Sequence, residues 1–250
     1  MARDSNRSRP RRVVVTGGTK GIGRAVVDLF VEAGDEVVAL GRDAQALAVL
    51  ATARGVRCDI TDEADVAAAL GGLDVDVLVN NAGVSDAAPI GRTTLDSWNR
   101  QMAVNATGAF LCTRAVAPAM RKRGSGTIVT VASTAGRVGA PYTSAYTASK
   151  HAAIGLMRAV AAEFAGSGAT ANAVCPTFVD TDMTRASVQR IVETTGRSAE
   201  ESVDALASAS PLGRLLTPEE VAAAVLWLAS PAAAAINGQT LILDGGGIQT

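Results

Sequence analysis

Tyr146 and Lys150 stand four residues apart in Tyr146-Thr147-Ala148-Ser149-Lys150, and Ser133 lies thirteen residues before the tyrosine. On a helix, side chains at i and i+4 share a face, so this spacing predicts a phenol and an ammonium held side by side. A phenol ionises near pH 10, too high for proton exchange at neutrality. A neighbouring ammonium favours the phenolate and lowers that value. Bringing it towards 7 takes about 4 kcal/mol of differential stabilisation, within reach of a lysine plus one further positive charge. Such a tyrosine exchanges a proton with the oxygen of a ketone or a secondary alcohol. Ser133 is the candidate to hydrogen-bond the same oxygen and hold it, and none of this needs a metal.

These residues need a scaffold, and the chain supplies its parts in order. Arg12-Val13-Val14-Val15-Thr16 is short, β-branched and apolar, as a buried parallel strand should be. Gly17-Gly18-Thr19-Lys20-Gly21-Ile22-Gly23 follows at once, and 24–33 reads as a helix with Ala25, Val26, Leu29 and Phe30 on one stripe. Strand, glycine turn and helix N-terminus together form a setting for a pyrophosphate. Further strands are predicted over 36–40, 56–58 and 127–131. Helices are predicted over 44–53, 98–123 and 143–165. This alternation implies a parallel sheet covered on both faces.

Thr16 to Gly23, Asn80-Asn81-Ala82-Gly83, Asn105, Ser133 and Tyr146-x-x-x-Lys150 resemble, in order and spacing, the short-chain dehydrogenase/reductases. The resemblance runs from Arg12 to Gly246. It implies a single-domain α/β fold of Rossmann type, a doubly wound parallel sheet of about seven strands with helices on both faces. It implies a catalytic set of Asn105, Ser133, Tyr146 and Lys150. Asn105 would hold a water for proton relay to Lys150, and Lys150 would also grip the nicotinamide ribose. The positive charge of an oxidised nicotinamide would be the second one that Tyr146 needs. The cofactor would lie along Gly17, Thr19, Lys20, Gly21, Ile22 and Gly23 at the pyrophosphate turn. It would continue past Asp59 and Ile60 beside the adenine and past Asn81, Ala82 and Gly83 at the end of the fourth strand. Pro176, Val179 and Thr181 would cover the nicotinamide. One departure is Thr177, where the family usually has glycine.

Enzymes of this design that use NAD place an acid after the second strand for the ribose 2′-OH. Here the positions are Gly41 and Arg42. A guanidinium suits a 2′-phosphate, and Lys20 adds charge from the glycine turn, so the sequence favours NADP(H) over NAD(H). Asp43 falls within the expected window but is read as the N-cap of the following helix.

A net charge of −1 offers no general attraction to nucleic acid or membrane, and no apolar run is long enough to span a bilayer. With 48% hydrophobic but only 3% aromatic residues, the core must be built from Ala, Val, Leu and Ile. Residues 1–11 are rich in arginine and are expected to be a disordered basic tail ahead of one domain over 12–250. Cys58, Cys112 and Cys175 show no metal-ligand spacing and are expected as buried free thiols in a reducing cytoplasm. His151 is read as structural, and no metal site is expected. Thr217-Pro218-Glu219-Glu220 is a helix start.

The stretch 184–211 is expected to be a substrate lid, with Arg185, Arg190 and Arg197 as candidates to meet an acidic carrier or a phosphate. Ile154, Val160 and Ala161, with Ala152, Ala153, Ala159 and Ala162, are candidates for a partner surface, and the resemblance implies a homotetramer. The activity it implies is NADP-dependent carbonyl reduction, with a 3-oxoacyl thioester of CoA or acyl carrier protein as the substrate. The alternatives are oxidation of a hydroxyacyl-CoA, 3-hydroxybutyrate or another secondary alcohol, and more remotely a non-catalytic NADP(H)-binding sensor.

Overall fold

The first strand, β1 (Arg12–Thr16), alternates its valines between two cores. Val13 and Val15 enter one and Val14 the other, because successive side chains of a strand point to opposite faces. The computed structural model describes residues 9–249. After β1 come α1 (Gly21–Glu32), β2 (Glu36–Gly41), α2 (Ala44–Ala48), β3 (Arg54–Arg57), α3 (Glu63–Leu70) and β4 (Val77–Asn80). Then follow α4 (Leu95–Met102), α5 (Gly108–Arg123), β5 (Gly126–Val131), α6 (Ser144–Phe164) and β6 (Ala169–Pro176). The chain ends with α7 (Asp182–Thr195), α8 (Ala199–Ala207), α9 (Pro218–Leu228) and β7 (Thr240–Leu243). All seven strands are parallel, in the order β3-β2-β1-β4-β5-β6-β7. The order reverses between β1 and β4, the crevice where open parallel sheets take their ligands.

Both faces are covered. Phe30, Val221 and Val225 of α1 and α9 close one core, and Leu111, Met157 and Phe164 of α5 and α6 close the other. Ile154, Ala153, Val160 and Ala161 are buried inside this second layer, so the surface expected of them for a partner is intrachain core. The outward face of α6 keeps Gly155, Ala159 and Ala162 exposed.

Three elements differ from expectation. The helix predicted over 44–53 stops at Ala48, because Leu50 turns inward to the core while Val49 faces solvent. The third strand lies over Arg54–Arg57 rather than 56–58. The helix predicted over 98–123 is two helices, α4 and α5, joined by a π-helical turn at Ala103–Thr107.

The expected tail is anchored earlier than residue 12. Arg9 pairs with Asp74 at 3.1 Å and Asp76 at 2.8 Å. Arg11 grips Asp35 through two nitrogens at 2.9 and 2.6 Å, donates to the Ala229 carbonyl and lies 5.5 Å from the Phe30 ring centroid. Arg3 and Arg7 lie outside the described residues. All three cysteines are free and buried.

With side chains only 15% and 5% exposed, the Arg11–Asp35 pair is shielded from water, and removing one partner strands the other. Arg11→Ala should lower unfolding free energy in urea by about 2–3 kcal/mol. Arg12→Ala, whose partner Glu36 is 60% exposed, should lower it by less than about 1 kcal/mol.

Candidate active site

The glycine turn is held open by contacts that leave no room for side chains. Gly17 and Gly21 have φ of 66° and 52°, a region that suits glycine. A Cβ on Gly23 would sit 2.2 Å from the Gly17 oxygen and 2.4 Å from Asn81 Nδ2. Asn81 Nδ2 donates to the Thr16 and Gly17 carbonyls at 2.9 and 3.2 Å, while the Asn81 and Ala82 N–H groups donate to Thr16 Oγ1 at 2.9 and 3.0 Å. Thr16 and Asn81 therefore lock the ends of β1 and β4 together. Side chains cap the helices after Asp43, Asp62, Thr94, Thr181, Ser198 and Thr217. The N-terminus of α1 has no such cap and no acid in its first turn. Free N–H groups beside a bare glycine backbone fit a pyrophosphate.

Around this turn the structure gathers most of the expected cofactor residues. Thr181 Cγ2 would lie 3.1 Å from a Cβ on Gly21, and Thr19 Cγ2 flanks Gly41 at the end of β2. Asp43 accepts from the Gln45 and Ala46 N–H groups, which makes it the helix cap. Arg42 Nη1 lies 4.0 Å from Asp59 Oδ2. Hydrogen bonds from the Thr61 N–H and hydroxyl hold the Asp59 carboxyl below its ordinary value, with Arg42 and Arg57 adding to the effect. Arg57 was missed in the sequence; it lies in register with Gly41 on the neighbouring strand. Ile60 is buried and meets Gly108, and Val179 bridges to Leu216. Ile22 is partly buried against the core. The Lys20 ammonium lies 3.8 Å from Asp182 at the start of α7. Thr177 continues the pairing of β6, donating its N–H to the Leu243 carbonyl at 3.1 Å.

The reacting groups converge beyond the ends of β4 and β5. The π turn carries Asn105 inwards, in keeping with the tendency of such bulges to occur at functional sites. Asn105 Oδ1 accepts from the Val84 N–H at 2.8 Å, and its Nδ2 donates to the Val84 carbonyl and Ser149 Oγ, each at 2.9 Å. Ser149 Oγ in turn donates to the Tyr146 carbonyl at 2.8 Å. The Asn105 amide is thus taken up in fixing the loop after β4 and the first turns of α6. A Cβ on Gly83 would lie 3.2 Å from Asn105 Oδ1 and 3.5 Å from Lys150 Nζ, so glycine lets these groups approach the backbone.

Ser133 follows β5, accepts from the Ala135 N–H at 3.1 Å, and stands close enough to the Tyr146 phenol to favour its ionised form. Lys150 is 5% exposed; its Nζ donates to the Val131 carbonyl at 2.9 Å and lies 5.7 Å from the Tyr146 ring centroid. His151 Nδ1 bonds the Thr147 carbonyl on the exposed side of the helix. Among the described residues no group of His, Cys, Asp or Glu could hold a metal.

The expected lowering of the Tyr146 pKa is absent from this arrangement. Burial raises it, the Cys175 thiol adds slightly, and only the Ser133 hydrogen bond opposes. Lys150 turns to Val131 rather than to the phenol, and burial lowers its pKa to about 8.

Lysine is therefore held where its charged form is disfavoured. Its ordinary value of 10.5 falls to about 8 in the fold. The destabilisation is full below pH 8 and fades as pH rises to 10.5, because across that interval the unfolded chain binds the extra proton. Lys150→Met should be more stable than the parent at pH 7 by about 1–3 kcal/mol, after allowing for the stranded Val131 carbonyl. The gap should close by pH 10.5 in denaturation curves.

Against this geometry, the family model described as enoyl-(acyl carrier protein) reductase matches residues 17–247. The chain is 36% identical to D-threitol dehydrogenase of Mycolicibacterium smegmatis, over 93% of this chain and 91% of that protein. It is 35% identical to 3-oxoacyl-[acyl-carrier-protein] reductase of Vibrio harveyi, over 93% and 95%. A solved structure of a variant actinorhodin polyketide ketoreductase with NADPH superposes with a TM-score of 0.90 at 33% identity, covering 95% of this chain and 97% of that one. The chain belongs to the short-chain dehydrogenase/reductases, oxidoreductases that act on CH–OH groups and the matching carbonyls.

Proposed function

We propose that this protein is an NADP-dependent carbonyl reductase whose substrate is a 3-oxoacyl thioester of CoA or acyl carrier protein. The observation that carries the reading is the meeting of Ser133 and Tyr146 beside buried Lys150, next to an uncapped glycine turn. A bound nicotinamide supplies the hydride. Ser133 orients the ketone oxygen. Tyr146, whose half-buried phenol has its pKa raised and so keeps its proton at neutral pH, donates that proton as the oxygen gains negative charge. Lys150 holds positive charge behind the phenol. Asn105 acts through Val84 and Ser149, keeping the Tyr146 turn of α6 in place. A protonated phenol suits reduction, whereas oxidation asks the same tyrosine to act as a base. The dehydrogenase names among the relatives favour alcohol oxidation as the second reading.

The NADP preference rests on Arg42 at the end of β2 and on the commitment of Asp43 to capping. The thioester is supported by the carrier-protein reductase and polyketide ketoreductase among the relatives. Association into a homotetramer is supported by exposed Phe110, with Arg114 stacked 5.1 Å from its ring, and by the small-residue face of α6. A cytoplasmic setting is supported by three unpaired cysteines; no described helix is long and apolar enough to cross a membrane.

Oxidation of reduced cofactor with acetoacetyl-CoA, run with NADPH and NADH in parallel, tests the reading. Turnover with NADPH alone is expected, and Tyr146→Phe should lower kcat by about 100-fold or more with cofactor affinity unchanged. Full activity in that variant overturns the mechanism. Arg42→Ala should raise the KM for NADPH about tenfold and leave kcat near the parent's. Turnover of secondary alcohols but not of the thioester would select oxidation.

A further inference from the structure

The lid is fastened on the far side of the reaction centre. Arg190 Nη2, on α7, pairs with Asp86 Oδ1 at 2.9 Å. Asp86 lies in the loop after β4, and α7 follows β6. Strands β4 and β6 flank β5, and Ser133 sits just past the end of β5. A contact from the loop after β4 to the helix after β6 therefore spans the end of β5, where Ser133 lies.

The acid is held ready for this contact. Asp86 Oδ2 accepts from Ser97 Oγ at 3.0 Å and faces Arg100 at 3.5 Å. The Asp86 N–H donates to Gln101 Oε1 at 3.1 Å, and Gln101 Nε2 returns a bond to the Asp86 carbonyl at 3.4 Å. Gln101 is 1% exposed, so this support is itself fixed. The loop is pinned on either side, at Val84 by Asn105 and at Ala88, whose N–H donates to the Tyr142 carbonyl at 2.8 Å. Tyr142 is the non-glycine residue with positive φ among those described, at 66°, a conformation kept only where surrounding structure imposes it.

The lid offers the complementary group. Its first turn stays with the glycine turn, through Lys20–Asp182 at 3.8 Å and the Thr181–Gly21 contact. Arg185 is engaged locally with Asp180 and Asp182 at 2.7 and 2.9 Å. Arg190, two turns further on, crosses to the body. Sequence reasoning offered Arg190 to an acidic carrier or a phosphate; here its partner is internal. The side chains of the pair are 38% and 29% exposed, and ion pairs so placed are weak enough to open readily.

We propose that Asp86 and Arg190 form the clasp of the substrate lid, roofing the Ser133–Tyr146 centre when closed and parting for substrate entry and product release. This rests on the reading of Ser133 and Tyr146 as the reaction centre. Asp86 and Arg190 are positioning residues, acting through the placement of α7 and not on the reacting atoms.

Amide hydrogen exchange on the full-length protein, with and without NADPH, tests the clasp independently of turnover. Arg190→Gln and Asp86→Asn should each speed exchange over 182–195 about two- to fivefold, the range an exposed pair supports, and the double variant should go no further. Arg190→Lys should restore slow exchange, and melting temperatures should stay near the parent's. With a reducible ketone, the two single variants should raise KM by similar, non-additive factors, and the parent's KM should rise with salt more than that of Arg190→Gln. Unchanged exchange over 182–195 in Arg190→Gln, or additive effects in the double variant, overturns the proposal. Faster exchange without turnover of any ketone leaves the clasp standing and removes the proposed activity instead.

Discussion

The site depends first on one amide. Asn105 bonds the Val84 N–H and carbonyl and the Ser149 hydroxyl, tying the loop after β4 to α6 and, through Ser149, to the Tyr146 turn. A regular helix from Leu95 to Arg123 would carry this side chain past its partners. The wider π turn at Ala103–Thr107 rotates it inwards, and Gly108 immediately after it accepts the close approach of Ile60. The irregularity in the helix is therefore the means by which three elements from separate parts of the chain take one fixed arrangement.

The second constraint is a buried cation. Lys150 is almost fully enclosed and has the Val131 carbonyl as its hydrogen-bond acceptor. Burying an ammonium is unfavourable, and the fold absorbs this with its valine- and alanine-rich cores. Stability given up at a reacting group is the usual trade at such places. The same burial works on the neighbouring phenol in the opposite sense, since it favours neutral Tyr146 as it favours neutral Lys150. The lysine is thereby brought nearer to neutrality, while the phenol is held more firmly in its protonated form.

Much of this was legible in the residues themselves. The glycine turn, the Tyr146–Lys150 face, the Asp43 and Thr217 caps and the parallel sheet all follow from local pattern, because a cap, a turn or an amphipathic stripe is decided by residues a few positions apart. What the pattern missed was decided at long range. The π turn is fixed by partners 21 and 44 residues from Asn105. Lys20 turned to Asp182, and Arg190 to Asp86, through ion pairs between segments that only the tertiary fold brings together. The same distance in sequence hid the intrachain burial of Ile154, Val160 and Ala161. Composition marked them as apolar without saying which surface would cover them.

The charge arrangement at the end of β2 shows why a residue count in this region misleads. Arg42, Asp43, Arg57 and Asp59 lie close together, two of each sign, and by number alone they favour neither ribose nor phosphate. The structure separates their tasks. Asp43 has one carboxylate oxygen on the α2 N–H groups. Asp59 is bonded to Thr61 and stands 4.0 Å from an Arg42 that is 71% exposed. That pair is loose and well hydrated, and its mutual attraction is small. A phosphate bearing more charge than a carboxylate would draw Arg42 from Asp59 with little loss, and Arg57 adds positive potential from the adjacent strand. Where α2 begins therefore fixes which of the two acids the backbone engages at this corner, Asp43 through the α2 N–H groups and Asp59 through that of Thr61.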